Sequence, residues 1–169
     1  MKKSKERGKM KDVIKQSLST RPTGRWFGLA VIEPKNILNF GSIARLAVNY
    51  GASVLFLVRP RFRYRRAATD TYHAARNLPI VIVDNIPEIP EITKVWFDFS
   101  ARAVPLPAFR HPKRALYIIG GEDRTLNPPK NAKNIVYVPT VGSLNIAVAV
   151  GTILYDRLFK EGVVSDVAR

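Results

Sequence analysis

The 169-residue chain carries 28 Lys and Arg against 13 Asp and Glu, a formal charge of +15 with a pI near 10.5, and is 46% hydrophobic. One domain with a real core fits that length and apolar fraction, and any polyanion, whether RNA, DNA or an acidic membrane surface, is attracted before specific contacts form. The absence of cysteine excludes disulfides, thiolate zinc sites and a cysteine nucleophile; with only the distant His73 and His111 as imidazole ligands, no metal is expected.

Residues 1–25 read as a basic arm, since Lys2, Lys3, Lys5, Arg7, Lys9, Lys11, Lys15, Arg21 and Arg25 face only Glu6 and Asp12. Such a stretch is either a solvated tail or an extension that contacts RNA, and its length and sign favour the second. It lacks the apolar segment of a signal peptide. No apolar run approaches the roughly 20 residues of a membrane span, so a soluble, cytoplasmic protein is expected. Residues 26–169 are then a single domain.

Short apolar runs follow: FGLAVI from Phe27, VLFLV from Val54, IVIV from Ile80, VWFDF from Val95, LYII from Leu116 and IVYV from Ile135. Their near-continuous, β-branched character is that of buried strands. It predicts an α/β fold, a mostly parallel sheet with helices on both faces. Two helices are clear. In the first, Ile43, Leu46, Ala47 and Tyr50 repeat at helical spacing, with Gly51 as a stop and Arg45 pointing away from the stripe. The second runs from about Leu144 to Lys160, and its small residues Ala147, Ala149 and Gly151 allow close approach of the sheet or of a second subunit. IPEIPEI from Ile86 is a connector that cannot form a long helix.

Three segments carry chemistry. NFGSIARLAVNYGASVLFLV from Asn39 pairs a permissive glycine, Gly41, with an arginine free to meet phosphate or oxygen; by itself an exposed helix arginine is usually just a solvated charge. In LYIIGGEDRTL a buried strand runs into Gly120, Gly121, Glu122, Asp123 and Arg124. Paired glycines at a strand's carboxyl end let backbone lie against a flat ligand, or simply form a tight turn. VYVPTVGSLNIAVAVGTILYDRL from Val136 joins a strand to a helix through Ser143, Leu144 and Asn145, with Ser143 also readable as an N-cap. The chain contains no GxGxxG fingerprint and no Walker A loop.

In this order and at these separations, the segments resemble the three signature motifs of the SpoU, or TrmH-like, class of SPOUT RNA methyltransferases, over residues from about 27 to 160. The matching positions are Asn39, Gly41 and Arg45, then Gly120, Glu122 and Leu126, then Ser143 and Asn145. The resemblance implies an S-adenosylmethionine-dependent ribose 2′-O-methyltransferase with a C-terminal deep trefoil knot, acting as a homodimer whose active sites lie near the interface. Carried over by motif position, cofactor contacts fall on Phe99, Ser100, Gly120, Gly121, Glu122, Val138, Ser143, Leu144 and Asn145. Arg45, Asn39, Glu122, Ser143 and Asn145 form the expected catalytic set. There Arg45 stabilises charge on the attacking oxygen, Asn39 orients it, and the others hold the cofactor. Thr125 stands where the family commonly has Gly, which puts the turn after Glu122 in doubt.

RRAATDTYHAARN from Arg65 resembles, more weakly, the small enzymes that methylate the wobble nucleotide of tRNA, so tRNA is favoured over ribosomal RNA. A catalytically silent RNA-binding protein of the same fold is the alternative. Arg59, Arg61, Arg63, Arg65 and Arg66 form a second basic cluster, and the expected RNA contacts are Lys9, Lys11, Arg25, Arg45, Arg61, Arg63, Arg65 and Arg66. Deleting residues 1–22 is expected to weaken RNA binding and to flatten its salt dependence by about 0.9 per lost phosphate contact on a duplex, with cofactor affinity unchanged. Filter binding across a salt series measures this, and an unchanged slope identifies a passive tail.

Overall fold

The computed structural model describes residues 25–63, 68–70, 73–123 and 125–161. Every apolar run noted above becomes a strand. They are β1 (Trp26–Ile32), β2 (Leu55–Val58), β3 (Ile80–Val83), β4 (Thr93–Phe97), β6 (Arg114–Gly120) and β7 (Ile135–Tyr137), joined by a two-residue β5 (Val104–Pro105). The strands pair in the order β3-β2-β1-β6-β4-β7-β5. Each pairing is parallel.

Two departures from the sequence reading have simple causes. β5 escaped notice because it is two residues long, ends in proline and lies at the sheet edge, where a missing N–H disturbs no ladder. The fourth strand was expected over 95–99 but spans Thr93–Phe97. Its last ladder bond runs from the Asp98 amide to the Val136 carbonyl (3.1 Å), after which the chain turns away.

Helix α1 (Ile37–Asn49) begins at Asn36, whose side chain accepts from the Leu38 amide, and stops at Gly51, whose φ of 74° suits glycine. Helix α2 (Ile146–Lys160) begins two residues later than expected, because Asn145 rather than Ser143 caps it, accepting from the Ala147 amide at 2.9 Å.

Among the described residues, both helices lie on one face of the sheet. Strand side chains alternate between the two faces. Phe27, Leu29 and Val31 share one cluster with buried residues of both α1 and α2, such as Ile43, Ala47, Val150 and Ile153. Trp26, Ala30, Phe56, Trp96 and Ile118 form a second cluster, closed among the described residues by connector side chains such as Ile86, Ile89, Ile92, Leu126 and Ala132. The Pro-rich connector is thus a lid over the second core. The small residues of α2 also face inward, with Ala149 buried and Gly151 placed 3.6 Å from the Leu46 side chain by an added Cβ. Gly151 thereby lets α2 approach α1 at Leu46.

At the amino edge of the sheet a buried polar cluster fixes α2. Arg157, 2% exposed, donates to the Pro112 carbonyl (2.9 Å), the Lys113 carbonyl (3.1 Å) and the Tyr117 hydroxyl (2.9 Å), and its guanidinium lies 5.1 Å from the Phe27 ring centre. His111 lies between the Tyr117 hydroxyl (2.6 Å to Nδ1) and the Asp156 carboxylate (2.8 Å to Nε2). Arginine only donates, so the Tyr117 oxygen accepts from it and passes its own proton toward Nδ1, leaving the Nε2–H for Asp156. That assignment is a neutral imidazole. Burial lowers the His111 pKa against the opposing pull of Asp156, and burial pushes the Tyr117 hydroxyl up to about 12.

The depressed His111 pKa has a consequence for stability. As pH falls through about 6.5 the unfolded chain binds a proton that the folded one resists, so folding stability drops on acidification. Urea unfolding between pH 7.5 and 5.5 is expected to show this drop in the wild type and a smaller one in His111→Gln. Equal slopes in the two proteins would remove His111 from the account.

Candidate active site

Parallel α/β sheets present ligand crevices at the carboxyl ends of their strands, where loops carry unpaired backbone groups. Here a cleft of about 1190 Å³ opens at that edge, walled by the segments that follow β1, β4, β6 and β7 and by the first turn of α2. Three expected motif segments therefore meet in one place, although residues 39 and 145 are 106 positions apart.

Glu122 organises the meeting. Its carboxylate accepts from the Lys35 amide (3.0 Å), the Asn36 amide (3.3 Å) and the Asn39 side-chain amide (3.0 Å). Asn39 in turn accepts from the Asn145 side chain at 3.1 Å, and the other end of Asn145 caps α2. Burial pushes the Glu122 carboxyl up, but the hydrogen bonds from Lys35, Asn39 and Asn36 outweigh it and hold the pKa below its usual value. Glu122 is thus a fully engaged positioning group. It also lines the cleft itself.

Gly121 also has a packing constraint of its own. A Cβ there would lie 2.7 Å from the Glu33 carbonyl oxygen and 3.0 Å from that of Ile32. The glycine lets the end of β6 press against the end of β1, backbone on backbone. The same edge stores strain, because Glu33 and Arg59 follow β1 and β2 with φ of 48° and 47°. Each left-handed non-glycine residue costs roughly 1 kcal/mol. Arg59 Nε donates to the Glu33 carboxylate at 3.2 Å, which bridges the two strained turns.

Of the expected cofactor contacts, Phe99, Gly120, Gly121, Glu122, Val138, Ser143, Leu144 and Asn145 line the cleft, as do Asn39 and Thr125. Ser100 does not; its hydroxyl is buried and has no hydrogen-bond partner among the described residues. Arg45 lies on the exposed face of α1, outside the cleft lining. Six residues separate it from Asn39, roughly 9 Å along the helix axis.

The expected RNA contacts scatter. Arg61 is committed within the protein, with its guanidinium gripping the Asp123 carboxylate and its Nε donating to the Glu33 carbonyl (3.0 Å). The pair raises the Arg61 pKa and holds Asp123 down at about 2, the side-chain hydrogen bond being the largest cause of each. Arg25 lies before β1, at the edge opposite the cleft, and pairs with Glu161 at 3.9 Å. Arg63 is exposed. Lys9, Lys11, Arg65 and Arg66 lie outside the described residues.

Two acids in the lining were missed. Asp123 was quoted only as part of a turn. Asp98 was absorbed into the run VWFDF, where a charged residue inside an otherwise apolar strand was itself the signal that the strand ends early. Among the described residues no helix is long and apolar enough to cross a membrane.

The model of the SpoU rRNA methylase family matches residues 27–155, a span that contains all three motif segments. No curated protein sequence matches the chain. Solved structures do. The SpoU methyltransferase AviRb from Streptomyces viridochromogenes, in complex with the cofactor AdoMet, superposes with a TM-score of 0.68 at 24% identity over 86% of this chain. The chain spans 61% of that protein. A structure described as giving insights into the 2-OH methylation of C/U34 on tRNA matches at 25% identity and a TM-score of 0.65, over 82% of this chain and 98% of its own. The A. aeolicus TrmH/SpoU tRNA modifying enzyme reaches a TM-score of 0.70 at 21% identity, over 95% and 87% of the two chains.

The acceptor role of Glu122 is open to test. Glutamine at position 122 replaces one acceptor oxygen with a donor that confronts the backbone and side-chain amides now bonded there. Glu122→Gln is expected to cost about 1 kcal/mol of stability, a modest value because the carboxylate is solvent-accessible. Chemical denaturation measures the loss, and an unchanged midpoint would show that water replaces the lost acceptor.

Proposed function

We propose, because this chain belongs to the SpoU rRNA methylase family, that it transfers a methyl group from S-adenosylmethionine to a ribose 2′-hydroxyl of RNA. The observation that carries the reading is the cleft at the sheet's carboxyl edge, where the three motif segments converge through the Glu122, Asn39 and Asn145 hydrogen bonds. Its character suits the cofactor. Ile119, Val138 and Ile146 offer apolar wall to a flat purine, while the backbone at Gly120 and Gly121 lies open to a ribose. When bound, S-adenosylmethionine supplies a methyl group on a sulfonium, which the 2′-oxygen takes as the carbon–sulfur bond breaks.

The residues divide the remaining work. Arg45 meets an RNA laid across the mouth of the cleft and stabilises negative charge on the 2′-oxygen. A guanidinium with a pKa above about 12 is a poor base, so the hydroxyl proton passes to a phosphate or to solvent. Asn39, held by Glu122 and Asn145, orients the ribose or the arginine. Ser143, exposed on the loop before α2 and part of the cleft lining, helps with Glu122 and Asn145 to hold the cofactor and shape the methyl-transfer end.

The assembly is read as a homodimer. Support comes from the outer face of α2, where Val148, Tyr155 and Phe159 are each more than half exposed and the last two rings stack at 6.4 Å. The C-terminal knot is supported by the position of β7, the last strand, between β4 and β5. Transfer RNA is favoured as substrate, with ribosomal RNA the second reading, because the matched structure concerned with tRNA C/U34 is spanned almost end to end. Labelled methyl transfer to separated tRNA and rRNA pools, followed by mapping of the modified ribose, tests the proposal. Label in tRNA supports the favoured substrate, label in rRNA alone replaces it, and label on a base overturns the reaction.

Arg45→Lys keeps the charge and removes the planar fork. It is expected to lower kcat at least about a hundredfold, in the range of a lost oxyanion donor, with cofactor binding intact. The α1 packing residues are untouched, so stability should move little. Near-normal turnover of the variant would identify Arg45 as a solvated charge.

A further inference from the structure

Three acidic residues line the cleft, and the carboxylates of two are already engaged. Glu122 accepts from Lys35, Asn36 and Asn39, while Asp123 is gripped by Arg61 and lies 3.7 Å from the Lys35 ammonium. Asp98 differs. Among the described residues its carboxylate has no hydrogen bond and no ion pair, and only its backbone amide is used, donating to Val136. Two aromatic residues of the lining, Phe99 and Tyr137, meet edge to face at 5.1 Å, and the Phe99 ring is 80% exposed.

An unpaired carboxylate in a cleft that also presents aromatic rings is suited to a cation, since the carboxylate supplies charge and ring faces add cation–π attraction. On the reading that the cleft holds S-adenosylmethionine, we propose that Asp98 is the residue that binds a cationic group of the methyl donor. That ligand carries two such groups, a sulfonium and an α-ammonium, against one carboxylate. Asp98 then separates the charged donor from uncharged nucleosides that share its adenine and ribose. The backbone explains why it is available. β4 ends at Phe97 and the Asp98 amide makes the last ladder bond, to Val136, so Asp98 sits at the carboxyl end of the strand where the cleft opens.

The test is calorimetric binding to the full chain of three probes: S-adenosylmethionine, S-adenosylhomocysteine, which keeps only the ammonium, and 5′-methylthioadenosine, which keeps neither cation. Asp98→Asn is expected to weaken S-adenosylmethionine about tenfold, the size of one charge-assisted contact, and to leave 5′-methylthioadenosine within about twofold. Asp98→Glu should recover part of the loss. Equal weakening of S-adenosylhomocysteine locates the ammonium at Asp98, and no weakening locates the sulfonium.

In the wild type, affinity for S-adenosylmethionine should fall with salt while that for 5′-methylthioadenosine does not, a measurement independent of any variant's folding. Unchanged S-adenosylmethionine binding by Asp98→Asn overturns the assignment, as does an equal loss of 5′-methylthioadenosine, which would place Asp98 on the nucleoside. A wild type that binds none of the three overturns the methyltransferase reading itself and this assignment with it.

Discussion

The carboxylate of Glu122 is the point on which the site depends. Three N–H groups from the start of α1 converge on it, so the loop after β6 and the loop after β1 cannot move separately. Through Asn39 the constraint reaches Asn145 and the cap of α2, which ties in the segment after β7. No one of these exposed hydrogen bonds is strong. Their value is geometric, because three loops of otherwise independent conformation share a single set of partners.

Around that point the backbone is crowded. Gly121 leaves no room for a side chain, and Glu33 and Arg59 adopt left-handed conformations that their Cβ atoms disfavour. Such strain persists only where the surrounding structure over-determines it. The opposite edge of the sheet supplies part of that rigidity. Arg157, buried and fixed to Pro112, Lys113 and Tyr117, holds α2 against the start of β6, so the α2 amino terminus arrives at the cleft from an anchored helix. A strained site and a buried polar cluster occupy the two ends of the same strands.

The charge of the chain is distributed to match neither edge alone. Much of the +15 lies in the amino-terminal arm and at Arg65 and Arg66, outside the described residues, while several basic side chains of the fold are spent on internal acids. Arg61 with Asp123 and Arg157 with Glu161 are structural pairs. A count of positive charges could suggest an RNA partner, yet could not show that Arg61 is paired with Asp123.

The sequence by itself determined the strands, because near-continuous β-branched runs have no other buried use, and it determined α1, because Ile43, Leu46 and Ala47 repeat at 3.6 residues and Gly51 stops the helix. It also carried the three motifs, since their order and spacing are properties of the chain alone. Tertiary structure decided what no local pattern encodes. Which face each helix covers depends on crossovers between strands, so among the described residues both helices fell on one face and the Pro-rich connector helped close the other. Which polar groups are engaged depends on contacts between residues up to 106 positions apart, so only the fold could show that Glu122 is filled by Lys35, Asn36 and Asn39 while Asp98, hidden in an apolar run, is left open.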